Sequence, residues 1–346
     1  MKFFVILFLA ASLLTLLIPT AISAIRPLPE MDTVPSSPPP SPSAASAPAA
    51  PSPANMETTA DSQITVQLLT DDGILTLAMD DYLFGVVAAE MPADFAEDAL
   101  CAQAVAARTT TLHHMTGADH PAHPEADICS NASCCEAWLS EDALQARWGD
   151  AYEENARKVQ SAVHSTDGVV VTYDSAPALC VYHSSSAGVT ESSADVWGGA
   201  LPYLVSVESP ESPDSVPGYV TTVSVPQTEF RDVILDNFPD ADLSGLPEEW
   251  IRDVTVTDGG RIGEMTVGGV HIAGTTIRNL LSLRSAAFTV EMTYENVVFT
   301  VTGYGHGVGM SQYGANIIAG DGTPWQDILA WYYPGTELGN LSDFAA

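Results

Sequence analysis

Ile64, Val66 and Leu68 alternate with polar residues, and Ile74 and Leu77 do the same after Asp71-Asp72-Gly73. A period of two on either side of a turn predicts a hairpin. Asp80 and Asp81 then stand where a helix is capped and begun; an apolar stretch carries it to about Glu90, and Met91-Pro92 stops it. A second helix is expected from about Phe95 to Met115, with Leu100, Ala104, Ala107 and Thr111 on one face. A His- and Cys-bearing loop follows at 117–138, then one helix at about 141–163. Strands near 168–173 and 178–183 lead into a Ser/Gly loop. Residues 205–300 have the texture of short strands with two helices, about 227–237 and 274–282. A Gly-rich loop at 303–309 precedes helices near 310–319 and 324–333. Helices and strands are interspersed without a regular βαβ repeat, which predicts an α+β class with a single mixed catalytic domain over 61–340.

The N-terminal pattern is different. Lys2 is followed by an uncharged apolar run from Phe3 to about Ile25. A secretory signal carries about 7–15 apolar residues and a membrane span needs about 20, so residues 1–25 are expected to act as a transmembrane anchor. Ile22-Ser23-Ala24 also offers a small-residue cleavage site, which keeps a cleaved signal open. Either way the remainder is exported, with Lys2 inside and only Arg26 basic on the far flank. Residues 26–60 are rich in Pro, Ser and Ala, as in Pro35-Ser36-Ser37-Pro38-Pro39-Pro40, and form a semi-rigid stalk. The expected location is the cell membrane, single-pass, with the catalytic domain extracytoplasmic.

Charge narrows the partners. The 346 residues carry 11 Lys and Arg against 44 Asp and Glu, a net charge of −33. Lys2, Arg26, Glu30, Asp32 and Glu57 are the charges of the first 60 residues, so the acidity belongs to the folded part. Such a chain repels phosphate backbones, and nucleic acid is excluded as a partner.

Four segments carry candidate chemistry. Glu90 closes a helix whose last turn is Val86, Val87, Ala88, Ala89. The negative end of the helix dipole and an apolar surrounding both raise a carboxyl pKa, as a general acid requires; an ordinary surface glutamate is the plain alternative. In the next loop His123, Cys129 and Cys135 recur at intervals of six, with Cys134 and His120 nearby. His123, Cys129, Cys135 and either Cys134 or His120 make a tetrahedral zinc set, of one imidazole and three thiolates or two of each. In an exported chain a disulfide is the alternative, with free thiols a third. In Tyr182-His183-Ser184-Ser185-Ser186-Ala187-Gly188-Val189-Thr190, small hydroxyls after a strand suit sugar binding, and a nucleophilic Ser/His pair is disfavoured because neighbours on an extended chain point to opposite faces. Gly303 to Gly314 contains His306, Ser311 and Gln312 and lacks the Lys-Ser/Thr ending of a P-loop. His306 is either a core histidine or a site residue.

These segments, in this order, resemble the stage II sporulation protein D family and its relatives, the amidase enhancers. The stretches that carry the resemblance are Tyr82 to Pro92, Ala102-Gln103-Ala104-Val105-Ala106-Ala107-Arg108-Thr109, and the His123–Cys135 loop. The His183–Thr190 loop follows, with Trp197 and Leu201-Pro202-Tyr203-Leu204, then Gly305 to Ala315 and Tyr332-Tyr333-Pro334-Gly335-Thr336. The match spans about residues 62–338. The resemblance implies a peptidoglycan lytic transglycosylase that cuts peptide-stripped glycan strands to 1,6-anhydro-muramic ends during forespore engulfment. It places the catalytic glutamate on Glu90, and substrate contacts on Arg108, Thr190 and Tyr203; Arg108 has a structural ion pair as its alternative. With the loop residues His183, Ser186, His306, Ser311 and Gln312 they complete the expected substrate-binding set. It also implies structural zinc on His123, Cys129, Cys134 and Cys135, and a cell-wall amidase or endopeptidase as partner. Departures are Cys101 where the family often has Lys, Ala187 where it often has Gly, and Cys134 where relatives often have His. Two other readings stay open: a non-catalytic glycan-binding enhancer of an amidase, and a hydrolase with catalytic zinc. Four protein ligands would close the metal and argue against the second.

Overall fold

The computed structural model describes residues 59–117 and 123–344. The expected anchor or signal at 1–25, nearly all of the stalk, and His120 lie outside the described residues. Among the described residues no helix is long and apolar enough to cross a membrane.

The hairpin forms as the alternation predicts. β1 (Thr65–Thr70) pairs antiparallel with β2 (Gly73–Ala78), Thr65 opposite Ala78 and Thr70 opposite Gly73, with Val66 and Leu68 buried. The chain passes straight into α1 (Met79–Glu90). Next comes α2 (Glu97–Thr116), in which every residue from Ala99 to Leu112 is buried. A helix covered on all sides is a central element, and its run of Ala102, Ala104, Ala106 and Ala107 lets neighbours pack close. A two-residue β3 (Ile128–Cys129) then adds parallel to β1.

The single helix expected at 141–163 is two. α3 (Glu141–Trp148) is capped by Ser140, whose Oγ accepts from the Ala143 amide, and ends at Gly149 with φ +52°. One 3-10 turn later α4 (Tyr152–Ser165) begins and buries Ala156, Val159, Ala162 and Val163 on one face. A residue with positive φ ends a right-handed helix, so apolar periodicity alone overruns the break. β4 (Val169–Tyr173) then forms an antiparallel ladder with β5 (Ala176–Pro177). The strand expected at 178–183 shrinks to β6 (Tyr182–His183), because the Leu179 amide donates to the Tyr203 hydroxyl rather than to a ladder. The short α5 (Ser193–Trp197) follows.

From there the chain builds a second hydrophobic core. It comprises β7 (Val220–Pro226), α6 (Gln227–Asn237), β8 (Ile251–Val256), β9 (Ile262–Val267), β10 (Val270–Ala273), α7 (Gly274–Leu280), β11 (Phe288–Met292) and β12 (Asn296–Thr302). The sheets run β10-β9-β8 and β11-β12-β7. Phe230, Trp250, Phe288 and Phe299 are buried in this core. The chain then returns to the first core. β13 (Met310–Ser311) pairs parallel with β6, α8 (Gln312–Gly320) and α9 (Trp325–Tyr332) pack on α2, and β14 (Glu337–Asn340) joins β4. The class is mixed α and β, as expected, with two large buried hydrophobic clusters among the described residues.

Candidate active site and metal centre

Glu90 is the last residue of α1, where the Met91 amide still donates to the Val87 carbonyl before Pro92 ends the helix. Its side chain is half-buried. Oε1 accepts from the Ala137 amide at 2.8 Å and Oε2 from Gln312 Nε2 at 3.2 Å. Gln312 starts α8 behind Ser311, whose Oγ caps that helix, and its Nε2 also reaches Gln103 Oε1 at 3.4 Å. Burial pushes the Glu90 carboxyl above the usual carboxylate range, and the Ala137 and Gln312 hydrogen bonds offset part of that shift. Arg147 donates to the Ala88 carbonyl at 3.1 Å and caps the same helix end.

Beside Glu90 lies a second carboxylate that no sequence pattern singles out. Glu136 is 2% exposed. Its Oε2 accepts from Tyr82 at 2.7 Å and Thr111 at 3.1 Å, and its Oε1 from Tyr182 at 2.7 Å. Burial pushes it up to about 7, against the pull of those hydroxyls and with a further push from Glu90. Both oxygens are committed, so Glu136 positions the loop segment that presents the Ala137 amide.

That segment is held from both directions. On one side Leu139 donates to the Gly85 carbonyl, and a Cβ at Gly85 would collide with the Trp138 indole, so glycine lets the loop press onto α1. On the other side are His123, Cys129, Cys134 and Cys135, whose ligand atoms lie within 4.8 Å of one another. His123 Nδ1 faces the Ala126 carbonyl at 3.3 Å and donates to it, which turns Nε2 to the thiols. Cys134 and Cys135 Sγ are 3.8 Å apart, and a tetrahedron with metal–sulfur bonds of about 2.3 Å has edges of about 3.8 Å. All five cysteines are free of disulfides. The donor set fits zinc, held by these four residues, which would act as a cross-link for the loop. Protein purified without added metal is expected to carry one zinc per chain by elemental analysis. Absence of metal together with a Cys129–Cys135 disulfide would overturn this.

The remaining expected site residues divide. Gln312 touches Glu90. His183, Ser186 and Ser311 are buried in a row leading away from it: His183 Nδ1 donates to the Val308 carbonyl at 3.2 Å and Nε2 accepts from Ser186 Oγ at 3.0 Å. Burial, His306 and Arg261 hold His183 well below the usual imidazole range. Glu211 Oε1 accepts from the Ser186 amide at 2.8 Å and from Ser311 Oγ. His306 ends the row, its ring 5.6 Å from His183 and 5.3 Å from Trp197.

Three further expected substrate contacts, Arg108, Thr190 and Tyr203, are buried and bonded within the protein. Arg108 is 0% exposed, donates to Asp61 at 2.8 and 2.6 Å and to the Val169 and Val163 carbonyls. It stands in a structural ion pair, the alternative the sequence left open. Thr190 is buried, with Oγ1 accepting from the Val207 amide at 2.9 Å. Tyr203 is buried, with its hydroxyl accepting from the Leu179 amide at 2.9 Å. Each is consumed by the backbone it braces. Glu136, Gln103 and Glu211 escape a reading of the sequence because each acquires its place only through partners far along the chain.

The family profile described as "Stage II sporulation protein" matches residues 71–173. The chain is similar to the stage II sporulation protein D of Bacillus subtilis (strain 168), 33% identical over 281 residues that cover 81% of this chain and 80% of that protein. The protein of the same name from Bacillus amyloliquefaciens is 32% identical with the same coverage. The amidase enhancer of Bacillus subtilis (strain 168) is 28% identical over 74% of this chain and 40% of its own.

Proposed function

The chain belongs to the stage II sporulation protein D family, and from that premise we propose that it is a peptidoglycan lytic transglycosylase with Glu90 as its single acid–base group. The observation that carries this is the disposition of the carboxylates. Hydrolytic glycosidases place two working carboxyl groups across the scissile bond. Here Glu136, Glu191 and Glu211 are buried, while Glu90 alone of the four is half-exposed, with a pKa raised by burial. One carboxyl is enough if the nucleophile belongs to the substrate.

The chemistry balances with that one group. Protonated Glu90 gives its proton to the glycosidic oxygen, the bond from C1 of N-acetylmuramic acid breaks, and positive charge develops on that ring. The carboxylate then takes the proton of the same sugar's 6-hydroxyl as O6 closes on C1, which leaves a 1,6-anhydro end and restores the acid. The Ala137 and Gln312 donors stabilise the anionic interval. The domain is proposed to work outside the cell on peptide-stripped strands during engulfment, after an amidase or endopeptidase, with residues 1–25 as anchor. An N-terminal sequence starting near Ala24 or Ile25 on soluble protein from the producing cell would refute the anchor.

Mass spectrometry of peptide-free glycan digested by the pure protein tests the activity: anhydro-muramic ends are expected. Unchanged strands would favour a glycan-binding enhancer, the reading that similarity to the amidase enhancer supports.

A further inference from the structure

Beyond His306 the buried polar row opens on a cavity of about 110 Å³ whose walls come from both cores. Arg261, next to β9, is 2% exposed. Its Nη1 donates to the Gly305 carbonyl at 2.8 Å, but Nε and Nη2 have no hydrogen-bond partner. Glu191, itself buried, forms a long ion pair with Arg261: Oε1 stands 3.8 Å from Nε, beyond hydrogen-bond range, and accepts from Thr257 Oγ1 at 2.7 Å, while Oε2 has no hydrogen-bond partner. A Cβ at Gly307, where φ is +90°, would collide with the guanidinium, so the glycine loop closes directly over it.

Arg278 of α7 lines the same cavity. Its Nε faces the Leu283 carbonyl at 3.4 Å, and among the described residues it has no ion-pair partner. In a chain with 44 acids and 11 bases, carboxylate partners are plentiful. Asp195, the other acid lining the cavity, is exposed and held by Ser192 at 2.7 Å. His306 is kept neutral, its pKa pushed down to about 4 by burial and by these two arginines. A nearly buried guanidinium with two idle donors costs stability unless something accepts from them.

Outside this recess stands Trp197, 48% exposed at the end of α5 with its ring against His306. An exposed indole offers a flat apolar face for the C–H face of a sugar. A recessed pair of arginines below such a platform fits a ring that carries a short acidic arm, since guanidinium donors match carboxylate geometry.

We propose that this cavity is a second glycan subsite, which stacks a muramic acid on Trp197 and takes its free lactyl carboxylate between Arg261 and Arg278. The subsite rests on the peptidoglycan reading of the active site and adds what the protein reads there. A stem peptide converts the lactyl carboxylate to an amide, so the recess distinguishes a stripped muramic acid from a substituted one. The whole-chain charge of −33 works against binding any anion, so a preference for the carboxylate form must be local.

The test uses the full-length Glu90→Gln protein, to prevent cleavage. Peptide-free strands are compared with the same strands converted to lactyl methylamides by carbodiimide coupling, at about 0.15 M salt. The expected result is at least about tenfold tighter binding of the carboxylate strands, about 1.4 kcal/mol. Arg278→Gln in the same background is expected to remove the difference and Arg278→Lys to retain part of it, each with an unchanged melting curve. Equal or tighter binding of the methylamide strands overturns the subsite. Anhydro ends from the unmutated protein are scored separately. If they form without carboxylate discrimination, the subsite falls and the transglycosylase reading stands. If discrimination is seen without anhydro ends, the subsite stands and the transglycosylase reading falls.

Discussion

Glu90→Gln is expected to abolish glycan cleavage while leaving the fold intact. The amide is nearly isosteric and its oxygen still accepts from the Ala137 amide, so the helix end and loop keep their contact. What is lost is the proton. A positioned general acid or base contributes about 10²–10⁴-fold, and here one group serves in both roles, so the loss should lie at the upper end. Release of anhydro-muramic ends from peptide-free strands measures it. Near-unmutated turnover by the pure variant would remove Glu90 from the mechanism. The unmutated rate should also fall as pH rises through the Glu90 pKa, which burial sets above the ordinary value, because only the protonated form can start the reaction.

Asp61→Ala should produce the largest loss of stability. Asp61 is 1% exposed and Arg108 is fully buried against it. The Asp61 carboxyl is raised from its usual value, with burial the largest cause, ahead of the opposing attraction of Arg108. The pair therefore offsets only part of its desolvation. Removing one partner is worse, because Arg108 is left charged and buried with only the Val163 and Val169 carbonyls. Breaking such a pair costs about 3–5 kcal/mol. Urea denaturation reads it. Asp61→Ala with Arg108→Leu should recover much of the loss, because no charge is then stranded. A single variant within about 1 kcal/mol of the unmutated protein would show that Arg108 finds other relief.

Local pattern carried the reading where local physics decides the structure. The alternation around Val66 and Leu68 is fixed by a pleat and a turn a few residues apart, and α6 begins where Pro226 stands and ends where the expectation put it, at Asn237. The metal set was legible because its four donors fall within 13 residues, His123 to Cys135, of one loop. Glu136 was not, since its meaning depends on Tyr82, 54 residues before it, and Tyr182, 46 residues after it. Arg108 shows the converse limit. A motif can align an arginine with a family's arginine, but only packing reveals that its guanidinium points inward to Asp61. Arg261 stood in no motif, and its significance comes from the loop that folds over it 46 residues later, at Gly307.

Asp61 also sits where the chain enters the folded part. The Ala60 and Asp61 amides both donate to the Asp167 carboxylate, at 2.8 and 2.9 Å, while the Asp61 side chain grips Arg108 in the middle of α2. With the proposed anchor in place, a tether that pulls on the N-terminus meets a clasp before it meets a strand. Tension is passed into the central helix, and the β1–β2 hairpin lies downstream of the load and is spared from being peeled open. Under the proposed anchor, that clasp at residues 60 and 61 is where a pull on the N-terminus would first enter the described fold.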